Sequence, residues 1–289
     1  MSAPRAITLF SRQAADGTQA AVERLAEAAT AAGIELRVPP EETKKHGKLL
    51  ARHSGSGVVL DADPDEPTDL VIALGGDGTI LSALRAIAGR GVPVFAINFG
   101  MIGFLSSVEN SDMDEGLRLA LKGEYEVVPL PALTVETAAG KQLAVNDVSL
   151  HRSPEGRVAE LGYSVRGERL GEVRADGLVA ATPTGSTGYN LANGGPVMAW
   201  GVEGFVVSFI APHTLTARAL VVAPDDVLEV ENRSGSESVQ LTTDGRNVGA
   251  LAPDEVARVR FEHDSAHLAQ IPGESFYHRL RDKFGRLSH

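Results

Sequence analysis

Up to about residue 125 the apolar positions alternate between short runs and a helical spacing. Ala6–Phe10 is a short apolar run, read as a strand. Gln19–Ala32 places Val22, Leu25 and Ala29 at helical spacing, with Gly33 as a natural stop. Ile34–Val38 reads as a strand ended by Pro39-Pro40, Glu41–Arg52 as a charged helix, and Asp61–Asp69, with two prolines, as a loop. Leu70–Leu74 is unbroken apolar sequence, the pattern of a strand buried on both faces. A helix over Thr79–Ala88 and a strand over Val94–Asn98 follow. Ser111 with Asp114 has the form of a helix cap ahead of Leu117, Leu119 and Leu121. Strand alternating with helix predicts a Rossmann-like parallel sheet covered on both faces.

The pattern changes at Pro129-Leu130-Pro131. Beyond it come short strands separated by turns: Leu133–Thr137, Leu143–Val145, Leu161–Val165, Glu168–Val173, Leu178–Ala181, Val206–Ile210, Leu228–Glu231 and Val239–Thr243. Arg166-Gly167 and Asp244-Gly245 sit where hairpin turns would fall. This half reads as mainly antiparallel β. Ser275–Phe284 turns helical again, either to cap the β-rich half or to return to the first. The expected division is an α/β domain over 1–128, a β-rich domain over 129–268 and a tail over 269–289. No repeat with a period of roughly 20–50 residues is visible.

Composition narrows the chemistry. The 289 residues include no cysteine, which excludes disulfides, thiolate metal sites and a cysteine nucleophile and suits a reducing cytoplasm. MSAPRAITLF lacks the apolar core of a signal peptide, and no run approaches the roughly 20 residues that cross a bilayer. A cytoplasmic protein is expected, with no membrane partner. The formal net charge is −11, which argues against nucleic acid as a partner. Any anionic ligand has to be held by a local arrangement against that mean field, and backbone amides at a turn supply one without lysine.

The stretch LVIALGGDGTILSALR supplies such a turn. Gly75-Gly76-Asp77-Gly78-Thr79 joins the apolar strand to the helix. Its glycines allow close approach of a ligand to the backbone, and the helix start favours negative charge, so phosphate is the expected guest. The turn matches neither the Walker A pattern nor G-x-G-x-x-G. A carboxylate beside bound phosphate is repelled unless it takes a proton from an attacking hydroxyl or helps hold Mg²⁺. The plainer alternative is a tight turn with Asp77 as helix cap.

RADGLVAATPTGSTGYN, residues 174–190, holds Arg174, Asp176, the hydroxyls of Thr182, Thr184, Ser186 and Thr187, and Tyr189, just after a strand. Hydroxyls and amides suit ribose and base recognition, and Tyr189 could stack on a purine. The alternative is a Ser/Thr-rich loop with ordinary turn chemistry. Val145-Asn146-Asp147 could read a ribose diol or an adenine edge, although an Asx turn explains it as well. Asn98-Phe99-Gly100-Met101-Ile102-Gly103-Phe104-Leu105 leaves a strand end where open α/β sheets bind ligands, or it is a packing loop. The eight histidines show no metal-binding spacing and read as surface or loop residues. No G-x-S-x-G elbow is present. The EETKK run reads as a solvated face.

Together these stretches resemble the NAD kinase family, whose members phosphorylate the 2′-hydroxyl of NAD's adenosine ribose. GGDGT alone is shared with lipid kinases and phosphofructokinases. TPTGSTGYN with an upstream R-x-DG is far more specific, and INFGMIGFL, VNDV, PHTLTARALVV and SFYHRLRDKFG follow in the family's order. The resemblance implies an α/β domain, a β-rich domain and a tail that packs back on the first.

The resemblance also implies roles. Asp77 would be the general base, with Gly75, Gly76, Gly78 and Thr79 shaping the phosphate pocket and Asn98 among the nucleotide-binding residues. Asn146 and Asp147 would hold the adenosine half of NAD, and Thr187 and Tyr189 the adenine. Arg174 and Asp176 would contact the other half near a subunit interface, and Asp244 and Arg246 would border the pocket. Gly188 stands where many relatives have Ala, and Arg246 where many have Gln. Arg174 resembles the residue that goes with preference for NAD over NADH. The implied cofactors are ATP as donor, or inorganic polyphosphate as in some relatives, and Mg²⁺ or another divalent cation held mainly by the donor's phosphates. The implied assembly is a homotetramer or homodimer. Two rival readings are another GGDGT kinase acting on a lipid or sugar phosphate, and a non-catalytic dinucleotide sensor.

Overall fold

The computed structural model describes residues 2–12, 17–100, 103–153 and 157–285. Met101 and Ile102 of the INFGMIGFL stretch lie outside the described residues. The chain divides into two compact units, Met1–Pro129 with Ala266–His289, and Leu130–Ser265.

The first unit carries β1 (Ala6–Ser11), α1 (Gln19–Ala32), β2 (Glu35–Val38), α2 (Pro40–Leu50), β3 (Val58–Leu60), β4 (Leu70–Gly75), α3 (Asp77–Ala86), β5 (Pro93–Asn98), β6 (Val108–Glu109) and α4 (Met113–Lys122). Its strands pair in parallel in the order β5-β4-β1-β2-β3. Every residue of β4 and β5 is buried, as unbroken apolar runs require when both faces are covered. Leu70, Ile72 and Leu74 join one core with Val22 and Leu25 of α1 and Leu117 of α4. The alternate residues Val71 and Ala73 are buried on the other face. α1 ends at Gly33, whose amide donates back to the Ala29 and Thr30 carbonyls.

This order places a switch point between β1 and β4: from β1 the chain builds outward to β2 and β3, then returns to build β4 and β5 on the other side. Ser11 pairs with Leu74, and Gly75 with Asn98, so three carboxyl ends line up there. Open α/β sheets bind ligands at such crevices.

The second unit is antiparallel. It is built from β7 (Glu126–Thr137, from Leu130 onward), β8 (Gly140–Ala144), β9 (Asp147–Arg152), β10 (Ala159–Val165), β11 (Glu168–Ala175), β12 (Gly177–Ala181), α5 (Tyr189–Ala192), β13 (Phe205–Ile210), β14 (Leu220–Val222), β15 (Leu228–Asn232), β16 (Val239–Thr243), β17 (Arg246–Leu251) and the first part of β18 (Val256–Gln270). One sheet runs β14-β13-β12-β9-β16-β17; β11, β10, β15 and β18 pair in another. Leu150, Leu178 and Phe205 of the first sheet share a core with Leu161, Val230 and Val259 of the second. Both expected hairpins form, with positive φ at Arg166 and Gly167 and at Asp244 and Gly245, the condition for a type I′ turn.

β18 is the largest departure from the expected elements. Leu228–Glu231 pairs with its first residues in the second unit, and His267–Ala269 pairs in parallel with Pro93–Phe95 in the first. Its charged positions at Arg258, Arg260, Glu262 and Asp264 hide its strand character. The tail then forms α6 (Phe276–Gly285) in the first unit. Two smaller expectations fail. Ser111 does not cap α4, since its hydroxyl donates to Asp112 and α4 starts from Asp112 with no side-chain cap. The helix after GGDGT begins at Asp77 rather than Thr79 and ends at Ala86. Among the described residues no helix is long and apolar enough to cross a membrane.

Candidate active site

In the first unit the GGDGT turn leaves the carboxyl end of β4 at the switch point. Gly76 is the N-cap of α3 with no side-chain cap, so Asp77 is the first helical residue and not the cap. Its carboxylate turns away from the helix start. Phe104 N donates to Asp77 Oδ2 at 3.0 Å and Leu105 N to Oδ1 at 3.3 Å. Gly103 has to be glycine, because a Cβ there would lie 2.4 Å from Asp77 Oδ1. Burial pushes the Asp77 carboxyl above its ordinary value, against the pull of the two amides and of the Lys283 and Arg279 charges. Two amides leave lone pairs on both oxygens, so this is a carboxylate able to accept a further proton. Asn98 is buried at the end of β5, donating to Glu109 at 2.9 Å and accepting from Gly100 N at 2.8 Å.

A cleft of about 930 Å³ opens at the switch point, lined among others by Gly76, Gly78, Thr79, Ser82, Arg12 and Lys45. No side chain caps α3; Thr79 N donates to Gly76 O at 2.9 Å, which leaves the Asp77 and Gly78 amides at the helix start to meet an anion. Two readings from sequence fail here. The EETKK run is not a solvated face: Glu42 is buried and, with Lys45, lines the cleft. His46 is not a surface histidine but is buried at 1 % exposure. Lys45 Nζ donates to Glu42 Oε1 at 2.8 Å and to the Ser11 carbonyl at 3.0 Å. Ser11 Oγ donates to Glu42 Oε2 at 2.5 Å and lies 2.9 Å from His46 Nε2. Burial holds His46 below its ordinary value; with the Ser11 hydroxyl proton given to Glu42, the bond between Ser11 Oγ and His46 takes its proton from Nε2. Arg12 and Lys45 are cleft cations that the sequence reading missed. The only signal for them was their place just after β1 and one turn into α2.

The second unit gathers the other predicted residues. Asp244, in its hairpin turn, accepts from the amides of Val145 at 3.1 Å, Asn146 at 2.7 Å and Asp147 at 3.2 Å. It therefore shapes the Val145–Asp147 turn. Burial, with the Asp244 carboxylate beside it, pushes the Asp147 carboxyl up to about 7. Thr182 closes on the same turn, its hydroxyl donating to Val145 O at 2.7 Å and accepting from Gly185 N at 3.0 Å. Gly185 packs on the Asn146 backbone so closely that a Cβ would lie 2.1 Å from its carbonyl oxygen.

This corrects the reading of the loop hydroxyls. Thr182 and Ser186 are fully buried and used internally: Ser186 donates to Pro183 O at 2.6 Å and accepts from Met198 N at 2.9 Å. The buried Thr184 hydroxyl and Asn146 Oδ1 make no hydrogen bond. Thr187 donates to Thr184 O at 3.3 Å. Tyr189 is half-exposed and already stacked on His151, with ring centroids 5.6 Å apart and planes 20° from parallel. Asp176 accepts from Arg152 at 2.8 Å, and Arg174 pairs with Glu160 at 3.0 Å from an exposed position. Arg246 opens β17 and is exposed. Asn146, Asp147, Asp244 and Thr182 are thus one connected cluster, while Arg174 and Arg246 sit on the surface of the same unit.

Known proteins place this architecture. The family model described as ATP-NAD kinase N-terminal domain matches residues 9–125, and that described as ATP-NAD kinase C-terminal domain matches 145–271. An NAD kinase of Gemmatimonas aurantiaca is 36% identical over 229 residues, 76% of this chain and 78% of its own length. One of Geotalea daltonii is 34% identical over 90% of this chain and 91% of its own. The crystal structure of yeast NADH kinase complexed with NADH superimposes with a TM-score of 0.87 at 21% identity, covering 100% of this chain and 90% of that one. An NAD kinase from Archaeoglobus fulgidus in complex with ATP gives 0.72 at 24% identity, covering 98% of both. These two show a shared fold; the family models and the closer sequence relatives go further, and by them the chain belongs to the ATP-NAD kinase family.

Proposed function

We propose that this NAD kinase moves the terminal phosphoryl group of ATP to the 2′-hydroxyl of the adenosine ribose of NAD, with Asp77 as general base. The observation that carries the reading is the Asp77 carboxylate: half-buried, turned off the helix start onto two amides, and beside a cleft lined by cations and the start of α3. In the step, the 2′-oxygen forms a bond to the γ-phosphorus, the bond from that phosphorus to the β,γ-bridging oxygen breaks, and the hydroxyl proton passes to Asp77. A base whose pKa is raised toward working pH is the better proton acceptor, and such help is worth about 10²–10⁴ in rate.

In the first unit the phosphate contacts come from the amides of Asp77 and Gly78 and the charges of Lys45 and Arg12. The second supplies the dinucleotide contacts through Asn146, Asp147 and the loop to Tyr189. Asn146 Oδ1 and Thr184 Oγ1, buried and unbonded, are polar atoms that a nucleoside would satisfy. A divalent cation that arrives on the donor's phosphates is part of the proposal. Such a cation offsets negative charge on the transferring group. Polyphosphate is a second donor that the same cleft suits. Assembly into a dimer or tetramer is part of the proposal and is supported by exposed Leu215, Leu220 and Val221 at and beside the edge strand β14.

The test is NADP formation from NAD, ATP and Mg²⁺ by the purified protein beside its Asp77→Asn variant. Turnover that falls roughly 10²–10⁴-fold in the variant, with NAD affinity kept, is expected. Equal loss of binding and turnover would make Asp77 structural instead. Wild-type protein that binds NAD and makes no NADP would point to a sensor.

A further inference from the structure

The buried arginine of the tail has no role in the reading above. α6 buries only Phe276 and Arg279. Placing a guanidinium in the interior costs several kcal/mol of lost hydration unless its donors are met. Docking a helix needs no such group, since an apolar residue would serve. What Arg279 touches is therefore informative. Its Nη1 donates to the carbonyls of Phe104, at 3.1 Å, and Ser106, and its Nη2 donates to Gln270 Oε1 at 3.2 Å.

The Phe104 carbonyl and the Leu105 N–H are two ends of one peptide unit. That unit is planar, so holding the oxygen sets the direction of the N–H. On the Asp77 side, Leu105 N–H points at Oδ1 and Phe104 N–H at Oδ2. A charged donor on the carbonyl also polarises the peptide and strengthens the bond its N–H gives. The segment is pinned again two residues on. Ser107 exchanges backbone and side-chain hydrogen bonds with Ala96 on β5, and its hydroxyl donates to Ala269. The Phe104 and Phe284 rings meet at 6.0 Å, a second contact from α6.

We propose that Arg279 is a positioning residue for phosphoryl transfer: through the Phe104–Leu105 peptide it aims and holds the Asp77 carboxylate, without touching either substrate. The inference rests on the reading of Asp77 as base. Among the described residues the charged groups that bear on Asp77 are Lys283 and Arg279, both from α6. Glu109 and Glu274 in turn face those two cations, at 3.2 Å from Lys283 and 3.9 Å from Arg279. Removing Arg279 takes away a positive charge and slackens the two amides, and both effects raise the pH at which Asp77 ionises.

The test compares wild type, Arg279→Gln, Arg279→Lys, Asp77→Asn and the double variant Asp77→Asn with Arg279→Gln. In Arg279→Gln, kcat should fall roughly 10–100-fold, with KM for NAD and ATP within about threefold, the split expected when only the transition state is affected. The acid limb of its pH–rate profile should move up, and in Arg279→Lys, which keeps the charge, it should move less. In the Asp77→Asn background the Gln substitution should cost less than about twofold more, since the two residues act as one unit. A carbon-13 titration of the Asp77 carboxyl, assigned by its loss in Asp77→Asn, should show the same upward shift.

Full kcat in Arg279→Gln, or losses that multiply in the double variant, would overturn the proposal. If Arg279→Gln does not fold, Arg279→Lys carries the same test: a lowered kcat with KM held supports the proposal, and wild-type kcat overturns it. An active Asp77→Asn would instead remove the base, and an inert wild type the kinase reading. In either case the carbon-13 titration still decides whether Arg279 sets the state of Asp77, and an unmoved titration rejects it.

Discussion

At the scale of single residues, the two acidic positions of the candidate site are set by burial more than by neighbouring charge. Asp77 and Asp147 both lie above the ordinary carboxylate range, and for both the first cause is burial. For Asp147 the consequence for stability has a definite sign. The folded state keeps its proton up to about pH 7, whereas the unfolded chain releases it near 3.8. Between those values the folded state binds more protons, so stability falls as pH rises through the window, by an amount on the order of a few kcal/mol. Asp147→Asn should flatten this fall, and melting temperatures of the ligand-free protein from pH 5 to 8 would show it. A wild-type curve that rises over that range would contradict the assignment. Gly103 is the other informative residue. A methyl there meets the Asp77 carboxylate, so Gly103→Ala should lower kcat at least about tenfold while leaving KM for NAD near wild type, as displacement of a catalytic group does.

At the scale of elements, the α2 helix and the loop after β12 are built for opposite reasons. α2 looks solvated in sequence but turns Glu42, Lys45 and His46 inward, because β1 ends at Ser11 and offers a carbonyl and a hydroxyl to meet them. Lys45→Met should raise KM for ATP roughly tenfold and leave that for NAD within about twofold, the pattern of a lost charge-assisted contact to one substrate. Steady-state kinetics with each substrate varied would decide it. The 182–198 loop looks polar in sequence but spends Thr182 and Ser186 on itself. Ser186→Ala strands the Met198 amide in a buried place and leaves the Pro183 carbonyl with the Ser186 amide alone, so it should cost about 1–3 kcal/mol in urea unfolding. An unchanged midpoint would mean that water takes over those bonds.

At the scale of the whole molecule, each unit has its own core, and the tail belongs to the first. A chain ended at Gly273 loses α6 and with it Arg279, Lys283 and the Phe284 ring. It should lose turnover by about two orders of magnitude or more, since the donors that hold Asp77 slacken. Binding of the dinucleotide to the second unit, read by calorimetry, should survive, because the α6 contacts named here all fall within the first unit. The formal charge of −11 shows why the anion site is so local: cations and helix amides gather at one switch point on a chain that is acidic elsewhere.

Much of this was determined by local sequence. Period and apolar runs specified the α/β alternation, because a strand buried on both faces has to be apolar throughout and an amphipathic helix has to repeat near every fourth residue. The two type I′ hairpins were legible because their turns need residues that tolerate positive φ. The GGDGT turn and the 174–190 stretch marked the candidate site by residue type. What only the tertiary structure decided are contacts between residues far apart in the chain: Asp77 with Phe104 and Leu105, Arg279 with Phe104, and Asp244 with Val145–Asp147. The burial of Glu42 and His46, and the strand hidden in the charged sequence of β18, belong with them. No period or spacing encodes these, because whether a charged side chain is buried depends on which partner the fold brings to it.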